Sequence, residues 1–513
     1  MDKIIGGSYS ETRRHGTSSE WIMNVLLVNS RPSEPQGGEL EPIGLCYLNA
    51  VLRQKGHDCF IIQQDFLSPF TDESILSLVK EKNIRLVGFS TYVTNASSAL
   101  SMCRSLKEAG VHTILGGPLA SGYPSLVERD EVDFLVQGEG EYGLLGLVEA
   151  LQAESDFSGI PNLLFKTGGQ VRHGLMGRRI QDLDALPVPD REHMQVGKTH
   201  MFGFPRVGGR NRAYSVLTSR GCPYACSYCV SDLMWHRQYY MRSVENVMDE
   251  MRGLFGPRSR NLALFVDEDV FVDRDRSLRL LAGMEESGLR VSFLASSHVH
   301  HLDEEMIGPM RRAGCFQIYL GMESGSPEIL KKVNRRYDFE KSISIIKACH
   351  HNNIMIFCGF IVGFPWEDRS TMKQMRRLVR RLKADFYTFQ YLQPYPGTLI
   401  HELAVREGWA RPDYFFDYHR ARRFFEPSMP TYNMTKSQLR REYILTQAST
   451  FLSPAYWGRN MKTLLSDPSR VRWTLLVLAN VAQYSLRAMA KQAQTRLKET
   501  FFGRRKNGTR LQA

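Results

Sequence analysis

The sequence predicts an α/β protein built in two successive parts. A doubly wound, Rossmann-like N-terminal domain comes first, then a partial (β/α)6 barrel of the TIM type, then a helical C-terminal segment. Three observations carry this. Short β-branched runs alternate with helix-spaced runs through residues 21–155. The same alternation resumes for six more repeats across 206–400. Between them, residues 156–205 hold Leu186-Pro187-Val188-Pro189-Asp190, whose paired prolines favour an extended connection. At 513 residues the chain is also too long for one hydrophobic core.

Composition narrows the class further. Residues 401–513 hold 20 Lys/Arg against 8 Asp/Glu, which accounts for the whole net charge of +12. Residues 1–400 are therefore balanced in charge, which argues against nucleic acid as their partner. Nine cysteines, mostly isolated, do not make a secreted disulfide framework. Cys46, Cys59, Cys103, Cys315, Cys349 and Cys358 sit in apolar surroundings and read as buried thiols, suited to a reducing cytoplasm. Residues 1–20 lack an apolar core and read as a flexible leader, not a signal peptide.

In the N-terminal part, Met23-Asn24-Val25-Leu26-Leu27-Val28-Asn29 has the continuous apolar character of a buried parallel strand. A helix is expected over 42–52, ended by Gly56. Strands follow at 59–62, 86–90, 113–115 and 134–136, with helices at 72–82 and 96–109. In such a sheet, ligands bind at the carboxyl ends of the strands. There stand Ser90-Thr91-Tyr92, Gly116-Gly117-Pro118 and Gly138-Glu139-Gly140-Glu141, where glycines let a ligand approach the backbone. A small hairpin strand is expected at 158–166.

The barrel repeat opens with an apolar run at 215–218 that feeds into Arg220-Gly221-Cys222-Pro223-Tyr224-Ala225-Cys226-Ser227-Tyr228-Cys229. Thiolates are soft ligands that suit iron–sulfur clusters or zinc. A closed zinc site needs four ligands, and no fourth Cys or His is near. Three thiolates on a four-iron cluster leave one iron open. Further strands are expected at 262–266, 291–295, 317–321, 355–362 and 386–391. Helices are expected at 243–254, 275–287, 303–313, 327–333, 337–352 and 369–383.

These motifs, in this order, resemble the radical S-adenosylmethionine (radical SAM) enzymes that carry a cobalamin-binding domain before the barrel. The cysteine spacing matches their C-x3-C-x-aromatic-C loop, with Tyr228 in the aromatic place. The resemblance implies a [4Fe–4S] cluster on Cys222, Cys226 and Cys229, binding SAM through its open iron. It implies SAM contacts from Glu323 and Ser324 of Gly321-Met322-Glu323-Ser324-Gly325, and from Gly359, Ile361 and Gly363 at the adenine. Pro394-Tyr395-Pro396-Gly397-Thr398 matches a motif that closes the active-site mouth. Cobalamin would lie on Ser90, Thr91, Gly116, Gly117, Gly138 and Glu139. The Asp-x-His-x-x-Gly motif that ligates cobalt in methionine-synthase-type domains does not occur between residues 21 and 180.

Asp267, Glu268 and His298 are the catalytic candidates. Where His298 stands, family members usually have Arg, and a His there would titrate near its ordinary pKa. The neighbouring His300 and His301 read as solvent-facing residues of the barrel lip. The implied activity is a 5′-deoxyadenosyl radical used to C-methylate an unactivated carbon of a small molecule. An external one-electron reductant such as flavodoxin or ferredoxin would serve it. Oxidative cyclisation or skeletal rearrangement is the alternative, and a tRNA- or membrane-binding adaptor a remote one.

After the barrel, aromatics at Tyr414-Phe415-Phe416 and Phe424-Phe425 interleave with Arg420, Arg422 and Arg423, and Trp457 and Trp473 follow. They either shape a pocket or merely pack. Residues 487–510 hold eight basic residues and one acidic residue, which suits solvent or peripheral contact with an anionic membrane. The apolar stretch at 473–482 is too short to span a bilayer.

Overall fold

The computed structural model describes residues 22–32, 41–64, 70–177, 179–191, 194–196, 211–255, 260–416 and 426–466. The expected leader, Arg420, Arg422, Arg423, Phe424, Phe425, Trp473 and the basic run at 487–510 lie outside the described residues.

The first sheet contains β1 (Asn24–Asn29), β2 (Asp58–Gln63), β3 (Leu86–Ser90), β4 (His112–Gly116), β5 (Phe134–Val136), β6 (Leu163–Thr167), β7 (Gln170–His173) and β8 (Met194–Val196). Its order is β7-β6-β5-β4-β3-β1-β2-β8. The strands from β5 to β8 through β1 are parallel, while β6 and β7 add an antiparallel hairpin at one edge. Leu26, Val28 and Val87 pack on one face of the sheet, and Val25, Leu27 and Ile61 on the other. Burial on both faces is why these strands read as continuous apolar runs.

Residues 156–205, expected as a connection with one small hairpin strand at 158–166, supply three strands to this sheet: β6 overlaps the expected strand, while β7 and β8 are additional. Strands of three or four residues hold too few side chains for a sequence pattern to separate them from a loop. Arg191, in the same stretch, donates to Glu41 at 3.0 Å, to Glu250 at 2.9 Å and to the Ser215 carbonyl at 2.8 Å. It is a bridge between the two domains.

The second sheet is β9 (Asn211–Val216), β12 (Arg260–Phe265), β13 (Val291–Ser297), β14 (Cys315–Glu323), β15 (Met355–Val362) and β16 (Phe386–Tyr391). All six are parallel, in consecutive order, and form an open barrel wall. A two-stranded ribbon, β10 (Ser219–Gly221) against β11 (Tyr239–Met241), flanks the cysteine loop. It escaped the sequence because each strand has three residues. Helices Val244–Leu254, Glu304–Arg312, Phe339–His351 and Arg369–Leu382 start on Ser243, Asp303, Asp338 and Asp368, whose side chains accept N-terminal amides.

Of the post-barrel aromatics, Tyr414, Phe415 and Phe416 pack against the first domain. Phe415 is fully buried in that domain's core, Ser97 donates to the Phe416 carbonyl at 2.9 Å, and Arg129 lies 4.8 Å over the Phe416 ring. No helix among the described residues is long and apolar enough to cross a membrane. The six isolated cysteines are all buried.

Candidate active site

The carboxyl ends of β1, β3 and β4 face the cysteine-loop side of the barrel across two adjoining cavities of about 630 and 350 Å³. Ser90, Gly116, Gly117, Gly138 and Glu139 line the smaller cavity on one side, with Val230, Trp235 and Glu268 on the other. Thr91 differs. It is buried beneath the turn, with its hydroxyl donating to the Gly116 carbonyl at 2.6 Å, and supports the turn without facing the cavity.

Gly117 has φ +91°, and a Cβ there would come within 3.0 Å of the Thr91 backbone. At Gly117 the wall is therefore bare backbone by necessity. Glycine turns at the strand ends let a large ligand such as cobalamin approach the backbone there. Among the described residues no histidine lines either cavity. Tyr92 lines both, and the residue is 46% exposed. Tyr395 and Pro396 close the larger cavity from the barrel side.

Each sulfur of the cysteine loop meets a donor. The Tyr224 amide faces Cys222, the Ser231 amide donates to Cys229 Sγ at 3.5 Å, and Arg335 Nη1 lies 3.9 Å from Cys226 Sγ. Burial pushes the Cys222 thiol up to about 12 and raises Cys229. Thiols so placed ionise only against added positive charge, which bound iron supplies. Among the described residues no three Cys, His, Asp or Glu side chains close on a single metal ion. A cluster takes each thiolate on a separate iron, so the donor set fits a [4Fe–4S] group.

The loop is tied down on both sides. Ser227 donates from its amide to the Val333 carbonyl at 3.1 Å, and the Ile400 amide donates to the Ser227 carbonyl at 3.1 Å. Asn334 Nδ2 reaches the Ala225 carbonyl at 3.0 Å. Cys226, Tyr228, Phe364 and Ile361 share one apolar cluster, which brings the aromatic place of the loop against the expected adenine segment.

At the fourth barrel strand, Glu323 has φ +61° where the register shifts between Gly321 and Glu323. A non-glycine residue there carries strain, and a bulge re-aims its side chain. The carboxylate turns toward the Tyr228 phenol and lies 3.9 Å from Arg335; burial raises its pKa and Arg335 opposes the rise. Arg335 also donates to the Gly321 carbonyl at 2.7 Å. Ser324 is wholly buried, its hydroxyl accepting from the Ser326 amide at 3.2 Å, so it serves the local turn. Gly359 lies directly under the Tyr319 phenol, where a Cβ would sit 1.8 Å from the hydroxyl. Gly363 donates to Glu367, whose fully buried carboxyl is raised by burial to about 8.

The three catalytic candidates separate. Asp267 is buried and accepts from the Thr218 amide at 3.0 Å, the Thr218 hydroxyl at 2.8 Å and the Ser219 hydroxyl at 2.5 Å. It anchors the approach to the cysteine loop and is not among the residues lining either cavity. Glu268 lines the cavity, accepts from Trp235 Nε1 at 2.7 Å, and has a carboxyl raised by burial.

His298 is buried, and burial with the Arg335 charge pulls its pKa down to about 2. The expected titration near 6.5 is therefore corrected: the imidazole is neutral throughout the working range. His301 is not a solvent neighbour either. Its Nδ1 lies 2.8 Å from Asp269 and its Nε2 3.0 Å from the Tyr224 hydroxyl.

Sequence reasoning missed Arg220, Trp235, Asp269, His301 and Arg335. One signal was available: Arg220 interrupts an uncharged approach to the loop, and a buried arginine requires carboxylate partners. Arg335 carried no such signal, since Asn334-Arg335-Arg336 reads as a solvated turn.

Residues 216–379 match the radical SAM superfamily and residues 35–148 match the B12 binding domain family. An uncharacterized methyltransferase of Pyrococcus horikoshii is 29% identical over 75% of this chain and 83% of its own. The anaerobic magnesium-protoporphyrin IX monomethyl ester cyclase of a Synechocystis species is 24% identical over 96% of both chains. The radical S-adenosylmethionine methyltransferase TsrM of Kitasatospora setae, solved with cobalamin and a [4Fe–4S] cluster, shares the fold at a TM-score of 0.62. It is 21% identical over 76% of each chain.

Proposed function

Given that this chain is a radical SAM enzyme carrying a B12-binding domain, we propose that it is a cobalamin-dependent C-methyltransferase acting on an unactivated carbon of a small biosynthetic intermediate. When bound, a [4Fe–4S] cluster with SAM supplies hydrogen-atom abstraction and cobalamin supplies a methyl group. The observation that carries the reading is the cavity shared by the glycine turns of one sheet and the cysteine-loop side of the other. A substrate held there would face the glycine turns on one side and the segment that follows the cysteine loop on the other.

The chain's own residues bind, orient and exclude water. Cys222, Cys226 and Cys229 would hold the cluster, each sulfur with its own donor. Arg335 and Glu323 offer opposite charges suited to the carboxylate and ammonium of an amino acid, and Tyr228 packs beside them. Glu268 opens onto the cavity, where Trp235 orients it to exchange a proton with substrate. Tyr395 and Pro396 cover the opposite mouth. A flavodoxin- or ferredoxin-type donor is the partner this chemistry requires, in a reducing compartment that suits the buried thiols.

The test needs no substrate. The protein is reconstituted anaerobically with iron, sulfide and hydroxocobalamin, then given SAM labelled in its methyl group. A labelled methyl on the bound corrinoid supports methyl transfer. Label confined to SAM, with 5′-deoxyadenosine formed, favours oxidative cyclisation, the reading suggested by full-length similarity to the cyclase. A chain that takes up no corrinoid overturns both.

A further inference from the structure

Among the buried cations of the seam between the two domains, Arg220 lies on the wall of the shared cavity. Arg220 precedes Gly221-Cys222 and is only 5% exposed. Its Nη1 donates to Glu139 at 2.7 Å and its Nη2 to Glu141 at 2.6 Å. Both carboxylates are themselves buried, and both belong to the glycine turn on the cavity wall. Glu139 also accepts the Ile180 amide at 2.7 Å, so the turn cannot slide. The Tyr47 ring lies 4.9 Å from the guanidinium, and Arg242 donates to its hydroxyl at 3.3 Å.

On the barrel side, Arg220 is fixed by the ribbon, paired with Tyr240. Gly221 follows at φ +98°, where a Cβ would fall 2.0 Å from the Gln238 carbonyl. The chain from Arg220 to Cys222 is thus short and rigid. The fork spans 81 and 79 residues of sequence, and ties the glycine turn to the residue two places before Cys222.

We propose that Arg220 is a positioning residue that sets the separation and orientation of the corrinoid site relative to the cysteine loop. The inference rests on the reading that the cavity holds cobalamin. A planar fork on two carboxylates fixes an angle as well as a distance, which a lysine's point charge does not. A displacement of about 1 Å between reacting centres costs about 100-fold in rate.

The experiment uses Arg220→Lys, which keeps the buried charge, with Glu141→Gln, which removes one arm of the fork, as the second variant should the first fail to load. Each is reconstituted with iron, sulfide and hydroxocobalamin, reduced, and examined by pulsed electron paramagnetic resonance for the dipolar coupling between cob(II)alamin and the reduced cluster. The expected result is wild-type iron and corrinoid content, a broadened distance distribution, and about 100-fold slower loading of labelled methyl from SAM. A distance distribution and a per-site loading rate within twofold of wild type overturn the inference. Lower cofactor content with the distance and per-site rate unchanged marks a merely structural arginine and overturns it equally. Absence of corrinoid from the wild type instead removes the functional reading beneath it.

Discussion

The barrel core and the domain seam are both buried, but they are made of opposite materials. The core is apolar: Phe293, Ile318, Phe360 and Met372 are at most 1% exposed and pack with their neighbours in one cluster. The seam is ionic. Arg191 joins Glu41 to Glu250, Arg242 shares Glu250, and Arg220 joins Glu139 to Glu141. Apolar packing resists separation while tolerating small rotations, whereas two-armed charge pairs hold one orientation. Buried pairs add little net stability for their desolvation cost, and their value lies in register. The difference teaches that this chain uses apolar mass to fold each part and charge to aim one part at the other.

The largest expected effect falls on the barrel side. Cys226→Ala is expected to abolish reductive SAM cleavage, measured as 5′-deoxyadenosine, while corrinoid uptake by the other domain persists. Survival of cleavage would break the assignment of the loop. Next comes a paired test of the two materials. Phe293→Ala and Glu250→Ala are each expected to cost about 3–5 kcal/mol in denaturant unfolding. Only Glu250→Ala, which takes a buried carboxylate from both Arg191 and Arg242, should also loosen corrinoid binding; equal binding in both variants would erase the contrast.

A smaller effect is expected for Arg335→Met. Losing one charge-assisted contact of about 1.5–3 kcal/mol weakens SAM binding roughly 10- to 100-fold by equilibrium dialysis. An unchanged affinity would remove Arg335 from the site. The smallest concerns Glu367, whose carboxyl is raised by burial to about 8. Between its ordinary value and about 8 the folded state keeps a proton that the unfolded chain has lost. Stability tied to this group is thus full below the ordinary value and is lost as pH rises through about 8. Glu367→Gln should flatten that fall, raising Tm by about 2–4 °C at pH near 8 relative to wild type and little at pH near 5.

Much of the site was legible because its chemistry is local. Three cysteines within eight residues, a glycine turn after each of several strands, and the Gly-x-Glu-Ser-Gly run declare themselves by spacing. What facing residues do is less local. Asp267 and Glu268 are adjacent, yet one anchors the Thr218–Ser219 segment and the other opens onto the cavity, because successive side chains leave the strand end in different directions. Ser90 and Thr91 divide in the same way. His301 pairs with Asp269 across 32 residues, a partner that sequence spacing does not indicate.

By itself, then, the sequence determined the alternation of strands and helices, the soft-ligand loop and the confinement of excess positive charge to the C-terminal segment. Each of these follows from neighbours within a turn or two of chain. Only the tertiary structure decided that Arg220 would meet Glu139 and Glu141, that Arg335 would stand beside Cys226, and that His298 would be stripped of its charge. Those outcomes depend on how two sheets dock and how much water the docking removes. Burial and the choice of ionic partner belong to the assembled molecule, while periodicity belongs to the chain.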